Sequence, residues 1–229
     1  MKLSTFAKTS LALGILTTGL MTTYAQSANA AEEIAPGVEN VNKDNVFLHS
    51  YHKQAFYELN NVTGVKEGKQ LKFETEYGPL HIQLPESEVH KYTDGEIKNL
   101  DVFAIREYND TKLPSIGGIT QNNTSLQDNP IEPKTILKKA NDQVVSAEDI
   151  YFPIHKQHVS LKEIDFKLRQ QLVDHDGLYT NGYKKGKIIV SMNDNLKHEI
   201  DLSDKFPVSK MGTVIDATQI HHIDAEMRT

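Results

Sequence analysis

Twenty-four residues, Lys156 to Tyr179 (KQHVSLKEIDFKLRQQLVDHDGLY), constrain this chain more than any other stretch. Leu161, Ile164, Leu168 and Leu172 recur at helical spacing and form one apolar stripe. Ser160, just before them, is an N-cap residue. Glu163, three positions on, completes a capping box in which two side chains satisfy two otherwise unpaired N–H groups. Glu163 with Lys167 and Asp165 with Arg169 are i,i+4 pairs with the acid first, each worth about 0.3–0.5 kcal/mol on a helix surface. Gly177 stands where a left-handed C-cap is needed, and Leu178-Tyr179 restart an extended run. The pattern predicts a capped helix laid across a sheet, its stripe in the core.

The flanks predict an α+β chain of two domains. Asn45 to His52 reads as a short helix. Strand-like runs follow at Phe56–Val65, Gln70–Glu76, Leu80–Leu84, Leu100–Arg106 and Ser115–Thr120, punctuated by Glu67-Gly68 and Gly78-Pro79. The polar residues 85–98 read as loop. Five short strands after a small helix fit a β-barrel of the OB type, although periodicity alone leaves a sandwich open. Gln121 to Pro133 is polar and turn-rich, the expected linker between a domain at 43–120 and one at 134–229. In the second domain, Thr135–Lys139 and Ile150–Ile154 read as strands separated by a polar stretch. Lys187–Met192 and Leu196–Leu202 form a hairpin around Asn193-Asp194-Asn195. Val214-Ile215 precede a short turn, and Ile220–Met227 is the expected closing strand.

Residues 1–30 stand apart. Lys2 and Lys8, the apolar run Leu11–Leu20 and Ala28-Asn29-Ala30 make a secretory signal peptide, expected to be cleaved after Ala30. Residues 31–42 read as a disordered leader. No later run is apolar enough to cross a bilayer, so a secreted, extracellular protein without membrane insertion is expected. Losing two lysines takes the net charge from −6 to −8, which argues against nucleic acid as a partner. With no cysteine, disulfides, thiolate metal sites and cysteine nucleophiles are excluded.

The central stretch also carries a resemblance. Lys156, Val159, Ile164, Asp165, Arg169, Leu172, Leu178 and Tyr179 keep every spacing of the second signature of the staphylococcal and streptococcal superantigen toxins, which the stretch resembles. That signature marks the central helix of the family's C-terminal domain. It implies an N-terminal OB-fold barrel followed by a C-terminal β-grasp domain over essentially the whole mature chain. The first signature is half present. Ile116-Gly117-Gly118-Ile119-Thr120 keeps the glycines and the threonine, but Ile116 replaces an aromatic residue and Ser125 an asparagine. With no disulfide loop, and with LALGILTTG, LDVFAIRE and KHEIDL elsewhere, the chain is similar to the superantigen-like (exotoxin-like) branch. The resemblance implies a virulence factor for immune evasion, without mitogenic activity, that binds a host innate-immune protein or receptor, or sialylated glycans on leukocytes; a true superantigen with a zinc-assisted site is the remaining alternative.

Three sets of residues are candidates for chemistry. His155 and His158 make an HxxH pair, but i and i+3 point to different faces of a strand, which favours solvated side chains. His222 and Asp224 share a strand face and resemble the zinc site of certain true superantigens, with His198 as a possible third ligand; zinc needs three or four protein ligands, and no metal or other cofactor is assigned. Thr180 to Asp201 resembles the glycan-binding region of superantigen-like relatives. There Thr180, Lys185, Lys187, Asp194, Lys197 and Glu199 supply charge for a carboxylate and polar groups for sugar hydroxyls. Gly182 stands where that pattern has threonine, and lysines on an edge hairpin also guard against strand pairing. No G-x-S-x-G, P-loop, HExxH or paired-carboxylate spacing occurs, so no enzyme is expected.

Overall fold

The computed structural model describes residues 45–107, 114–122, 129–141, 145–180 and 182–229. The expected signal peptide and leader lie outside them, as do residues 123–128 of the expected linker, Ser125 included.

Helix α1 (Val46–Lys53) leads into β1 (Phe56–Glu67), β2 (Gln70–Thr75), β3 (Gly78–Gln83), β4 (Gly95–Ile105), β5 (Pro114–Ile116) and β6 (Ile119–Gln121). These strands form one sheet in the order β5-β3-β2-β1-β4-β6. Its edge strands, β5 and β6, are joined by Gly117-Gly118 alone, so the sheet must curl until its edges meet. A register shift in β1 between Leu59 and Val62 supplies curvature. It places Asn61 at φ 53°, with its N–H on the Asp101 carboxylate at 2.8 Å. Leu59, Leu71, Phe73, Leu80, Ile82, Leu100 and Val102 fill the interior. This is the OB-type barrel.

The Gly-Gly junction is tightly built. Gly117 and Gly118 have φ of 59° and 76°. A Cβ on Gly118 would sit 2.3 Å from the Phe103 carbonyl oxygen. Gly118 also donates its N–H to Met211 of the second domain at 3.0 Å. Gly118→Ala is expected to cost about 2–4 kcal/mol from strain and overlap, lowering Tm by roughly 5–15 °C in a thermal melt.

The second domain holds β7 (Lys134–Ala140), β8 (Val145–Ile150), β9 (His158–Ser160), α2 (Leu161–His175), β10 (Lys185–Met192), β11 (Lys197–Asp201), β12 (Val214–Asp216) and β13 (Ile220–Arg228). Its main sheet runs β11-β10-β13-β7-β8, with β13 parallel to β7 and the other pairs antiparallel. Leu161, Ile164, Leu168 and Leu172 of α2 pack on Leu137, Ile188, Val190, Ile200, Ile223 and Ala225 of the sheet. A helix clasped by a mixed sheet in this way is a β-grasp.

The expected helix is present. Ser160 accepts the Glu163 N–H at 3.2 Å, and the N–H of Leu178 reaches back to the Leu172 carbonyl beyond Gly177, whose φ is 77°. The capping box is only half made, because the Glu163 carboxylate turns to Lys156 and Lys167 at 2.7 and 2.8 Å. Three strand readings change. Ser115–Thr120, read as one strand, divides at Gly117-Gly118 into β5 and β6 on opposite edges of the sheet. β4 begins at Gly95, inside the stretch read as loop, because its first residues pair with β1 beyond the barrel interior and are mostly exposed. β8 occupies part of the polar stretch and ends where a strand over Ile150–Ile154 was expected. It is a sheet edge whose residues are exposed up to Asp149, so it carries no apolar alternation.

Candidate functional site

The signature residues of α2 are buried. Arg169 and Asp165 are 0 % and 2 % exposed, and form an ion pair inside the protein rather than on a helix surface. Arg169 also donates to the Tyr179 hydroxyl at 2.9 Å and to the carbonyls of Asp204 and Asp201 at 2.7 and 3.1 Å. The Tyr179 hydroxyl in turn donates to the Leu202 carbonyl at 2.6 Å. These contacts hold Tyr179 at φ 67°, which a side chain disfavours. Burial favours the neutral Asp165 carboxyl, yet Arg169 and then His52 hold it below the usual carboxylate range. Burial pushes the Tyr179 phenol up to about 12. The signature is thus a polar clamp that ties α2 to the segment after β11. None of it faces solvent for a ligand.

A second set of buried charges joins the two domains. Lys162 on α2 is 1 % exposed and reaches across to Ser115 Oγ at 2.8 Å, the Ile116 carbonyl at 2.6 Å and Glu107 at 3.0 Å. Glu107 also pairs with Lys205 and accepts the Tyr51 hydroxyl at 2.9 Å. Burial lowers the Lys162 ammonium to about 8 against the opposing pull of Glu107. Alongside, Glu58 of β1 meets Lys167 at 2.7 Å. Burial would raise the Glu163 carboxyl, but Lys156 and Lys167 hold it at about 2. Sequence reasoning took Lys156 as a signature position, Glu163 and Lys167 as a helix pair and Ile116 as part of the first signature, but placed none of them between the domains. The one available signal was Phe166, an aromatic residue off the apolar stripe four positions from Lys162. It packs with Tyr51, Phe103 and Ile105, because α2 is covered by the barrel and α1 as well as by its own sheet.

The outer face of the grasp sheet is the open surface. Cross-strand pairing places Lys187, Ile189 and Ser191 of β10 beside Asp201, Glu199 and Lys197 of β11, with Glu226, Asp224 and His222 of β13 on the other side. His198 pairs with Val190, which pairs on its other side with Ile223; both are buried on the helix-facing side, so His198 lies on the opposite face from His222 and Asp224. His222 and Asp224 bind each other at 3.1 Å, and Asp224 also takes Lys138 at 3.0 Å. Among the described residues no group of three His, Asp or Glu side chains is disposed to hold a metal ion. His155 lies in a loop before β9, and His158 is on β9.

The expected glycan residues divide along the hairpin. Thr180 is in the turn before β10, its N–H on the Gly177 carbonyl at 3.0 Å, and Lys185 begins β10. Lys187 and Glu199 make an exposed pair at 3.4 Å in the middle. Asp194 lies in the turn, accepting the Leu196 N–H at 2.9 Å, with Lys197 beside it. Seven strand steps put Asp194 about 25 Å from Lys185. Thr180 and Lys185 therefore lie towards one end of the hairpin and Asp194 and Lys197 towards the other, with Lys187 and Glu199 between them. Two residues at the first end were missed: Arg228, whose carbonyl accepts the Lys184 N–H, and Asn45, whose side chain donates to the Lys184 carbonyl at 2.9 Å.

Comparison with known proteins agrees with this architecture. Residues 47–123 match the staphylococcal superantigen-like OB-fold domain, and residues 133–227 the staphylococcal/streptococcal toxin β-grasp domain. Staphylococcal superantigen-like 1 of Staphylococcus aureus (strain Newman) is 40% identical over 236 residues, covering 100% of both chains. The crystal structure of a superantigen-like protein from S. aureus subsp. aureus NCTC 8325 superposes with a TM-score of 0.75 at 35% identity, covering 80% of this chain and 98% of that one. Staphylococcal superantigen-like protein SSL5, solved in complex with sialyl-Lewis X, superposes with a TM-score of 0.74 at 33% identity, covering 83% of this chain and 100% of that one. An OB-fold barrel closed by a Gly-Gly junction, a β-grasp clamped by its signature helix and end-to-end relatives place this chain in the staphylococcal superantigen-like family.

Proposed function

We propose that this protein is secreted after cleavage at Ala30 and acts without catalysis, by binding a host innate-immune protein or receptor. The observation that carries this reading is where its charges lie. The buried charged groups Lys162, Glu163, Asp165 and Arg169 are consumed in joining helix to sheet and domain to domain. What remains for function is exposed strand and turn surface, the usual place for recognition on a rigid scaffold. Among the described residues no helix is long and apolar enough to cross a membrane.

A second reading is nested in the first: the host component is recognised through a sialylated glycan at the Thr180–Lys187 end of the hairpin. Support comes from the exposed Lys184 and Lys185 beside Thr180, and from the relative solved with sialyl-Lewis X. Labelled residues 31–229 should bind human leukocytes, and sialidase treatment should reduce that binding at least tenfold. Lys185→Glu with Lys187→Glu should reproduce the loss without changing Tm by more than about 2 °C, since surface substitutions cost little. Binding that survives both treatments would remove the glycan reading and leave a protein receptor. Absence of binding to leukocytes and to plasma proteins alike would sink the first reading.

A further inference from the structure

His52, in the last turn of α1, is 0 % exposed and packs against the rings of Tyr51, Phe166 and Tyr179. Its Nδ1 lies 2.7 Å from the Leu48 carbonyl oxygen, which can only accept, so Nδ1 carries the ring proton. In the neutral ring Nε2 is then a bare acceptor. It has no hydrogen-bond partner among the described residues. What stands before it is the Asp165 carboxylate, with Oδ2 4.0 Å away, too far for a hydrogen bond. An acceptor facing an acceptor contributes no bond, and a proton on Nε2 turns the pair into a cation facing an anion.

The charges around this nitrogen are already balanced. From α2, Asp165 is paired with Arg169, whose Nε donates to it at 3.0 Å, and Gln170 adds an amide that donates to the His52 carbonyl at 2.9 Å. The segment after α2 presents Tyr179, and α1 itself presents Tyr51. Tyr51 binds Glu107 of the barrel at 2.9 Å and lies 4.5 Å beneath the Lys205 ammonium of the grasp domain. A proton on Nε2 would therefore add an uncompensated positive charge to a site closed to solvent. Burial, joined by Arg169, outweighs the pull of Asp165 and holds the imidazole below its ordinary range. His49, also on α1, is partly exposed and faces Lys53 and Asp174; burial and Lys53 lower it as well.

We propose that His52 is a proton-operated latch: neutral, it seats α1 on the Asp165–Arg169 pair, and protonation releases α1 from α2 while both sheets stay folded. The helix has eight residues, of which Leu48, Tyr51 and His52 are buried, so it opens at lower cost than the sheets. Release places the imidazolium in water and takes Tyr51 off Glu107, so the joint between the domains loses a hydrogen bond in the same step. Seated, His52 binds protons less readily than in the open form. The seated state is therefore fully favoured above the free imidazole value of about 6.5 and loses ground as pH falls below it. A free imidazole of that value is protonated about ten to one at pH 5.5, so the open form should become about tenfold more populated there.

The test is hydrogen–deuterium exchange of the mature chain, residues 31–229, at pH 7.5 and 5.5, corrected for the intrinsic exchange rate. Protection of the α1 amides should fall about tenfold at pH 5.5, while β10 and β13 keep theirs. Unchanged or increased protection of α1 would overturn the latch, since a proton that strengthened the contact with Asp165 would hold the helix more tightly. In a carbon-13 NMR titration the His52 ring should titrate with a midpoint below about 6.5, and a midpoint at or above that value would equally overturn it. His52→Phe and His52→Gln should each remove the pH response of α1, and His49→Gln should retain it. A response that persists in both His52 variants, or disappears in His49→Gln, would place the acid sensitivity elsewhere and refute the proposal. The first two measurements stand even where a variant fails to fold.

Discussion

Arg169→Leu should lower the unfolding free energy by about 3–5 kcal/mol, because it leaves a carboxylate buried without its counter-charge. Asp165 loses its ion pair, and the Tyr179 hydroxyl and the Asp201 and Asp204 carbonyls lose their donor. A chain of this length should then melt roughly 6–20 °C lower. The pH dependence separates this from simple loss of packing. Asp165 in the folded protein is held below its unfolded pKa of about 3.9, so its contribution is complete above that value. It is lost as pH falls through the folded pKa. The gap between wild type and Arg169→Leu in urea titrations should therefore be widest near neutrality and narrow below about pH 4. A gap that stays constant down to pH 3 would mean that the pair contributes shape and not charge.

Glu107→Leu is expected to damage the joint between the domains. It removes the acid facing Lys162, whose side chain is 1 % exposed and cannot reach water without the domains separating. The cost should again be about 3–5 kcal/mol, and calorimetry should show two transitions in place of one as the domains uncouple. Lys162→Met with Glu107→Leu should recover most of the loss, since an apolar pair of similar volume needs no desolvation; Lys205, 26 % exposed, can turn to solvent. A double variant no better than Glu107→Leu would refute the ion-pair account. The lysine also has a pH signature. Its folded pKa of about 8 lies below the unfolded value of about 10.4, so the unfolded chain holds more protons between them. The penalty for burying the charged group is complete below pH 8 and disappears as pH rises towards 10.4. Any stability advantage of Lys162→Met over wild type should therefore shrink across that window.

Where sequence reasoning succeeded and failed has one explanation. The cap at Ser160, the stripe from Leu161 to Leu172, the Gly177 stop and the hairpin turn at Asn195, whose φ is 69°, depend on neighbours within a few residues, and all were legible. Eight signature positions were legible too, as a pattern, but not their purpose. Asp165 and Arg169 looked like an exposed helix pair, and burial turned them into a clamp on Tyr179 and the chain after β11. Lys162 and Glu107 are 55 positions apart and carry no local mark, since only the packing of barrel on grasp removes their water. β8 was unreadable for the converse reason: an edge strand exposed along most of its length has no apolar period to show.

The sequence by itself determined the central helix with its caps and the absence of cysteine chemistry, because each follows from local propensity, spacing or composition, while the order of barrel then grasp was implied by the resemblance of the signature stretch. The tertiary structure decided which charges are structural and which are free. It put His198 on the opposite face from His222 and Asp224, separated Asp194 from Lys185 by the length of a strand, and set Asn45 against Lys184. The physical reason is that a side chain's neighbours across a sheet or an interface are set by register and packing, and its charge acquires meaning only once they decide whether water remains.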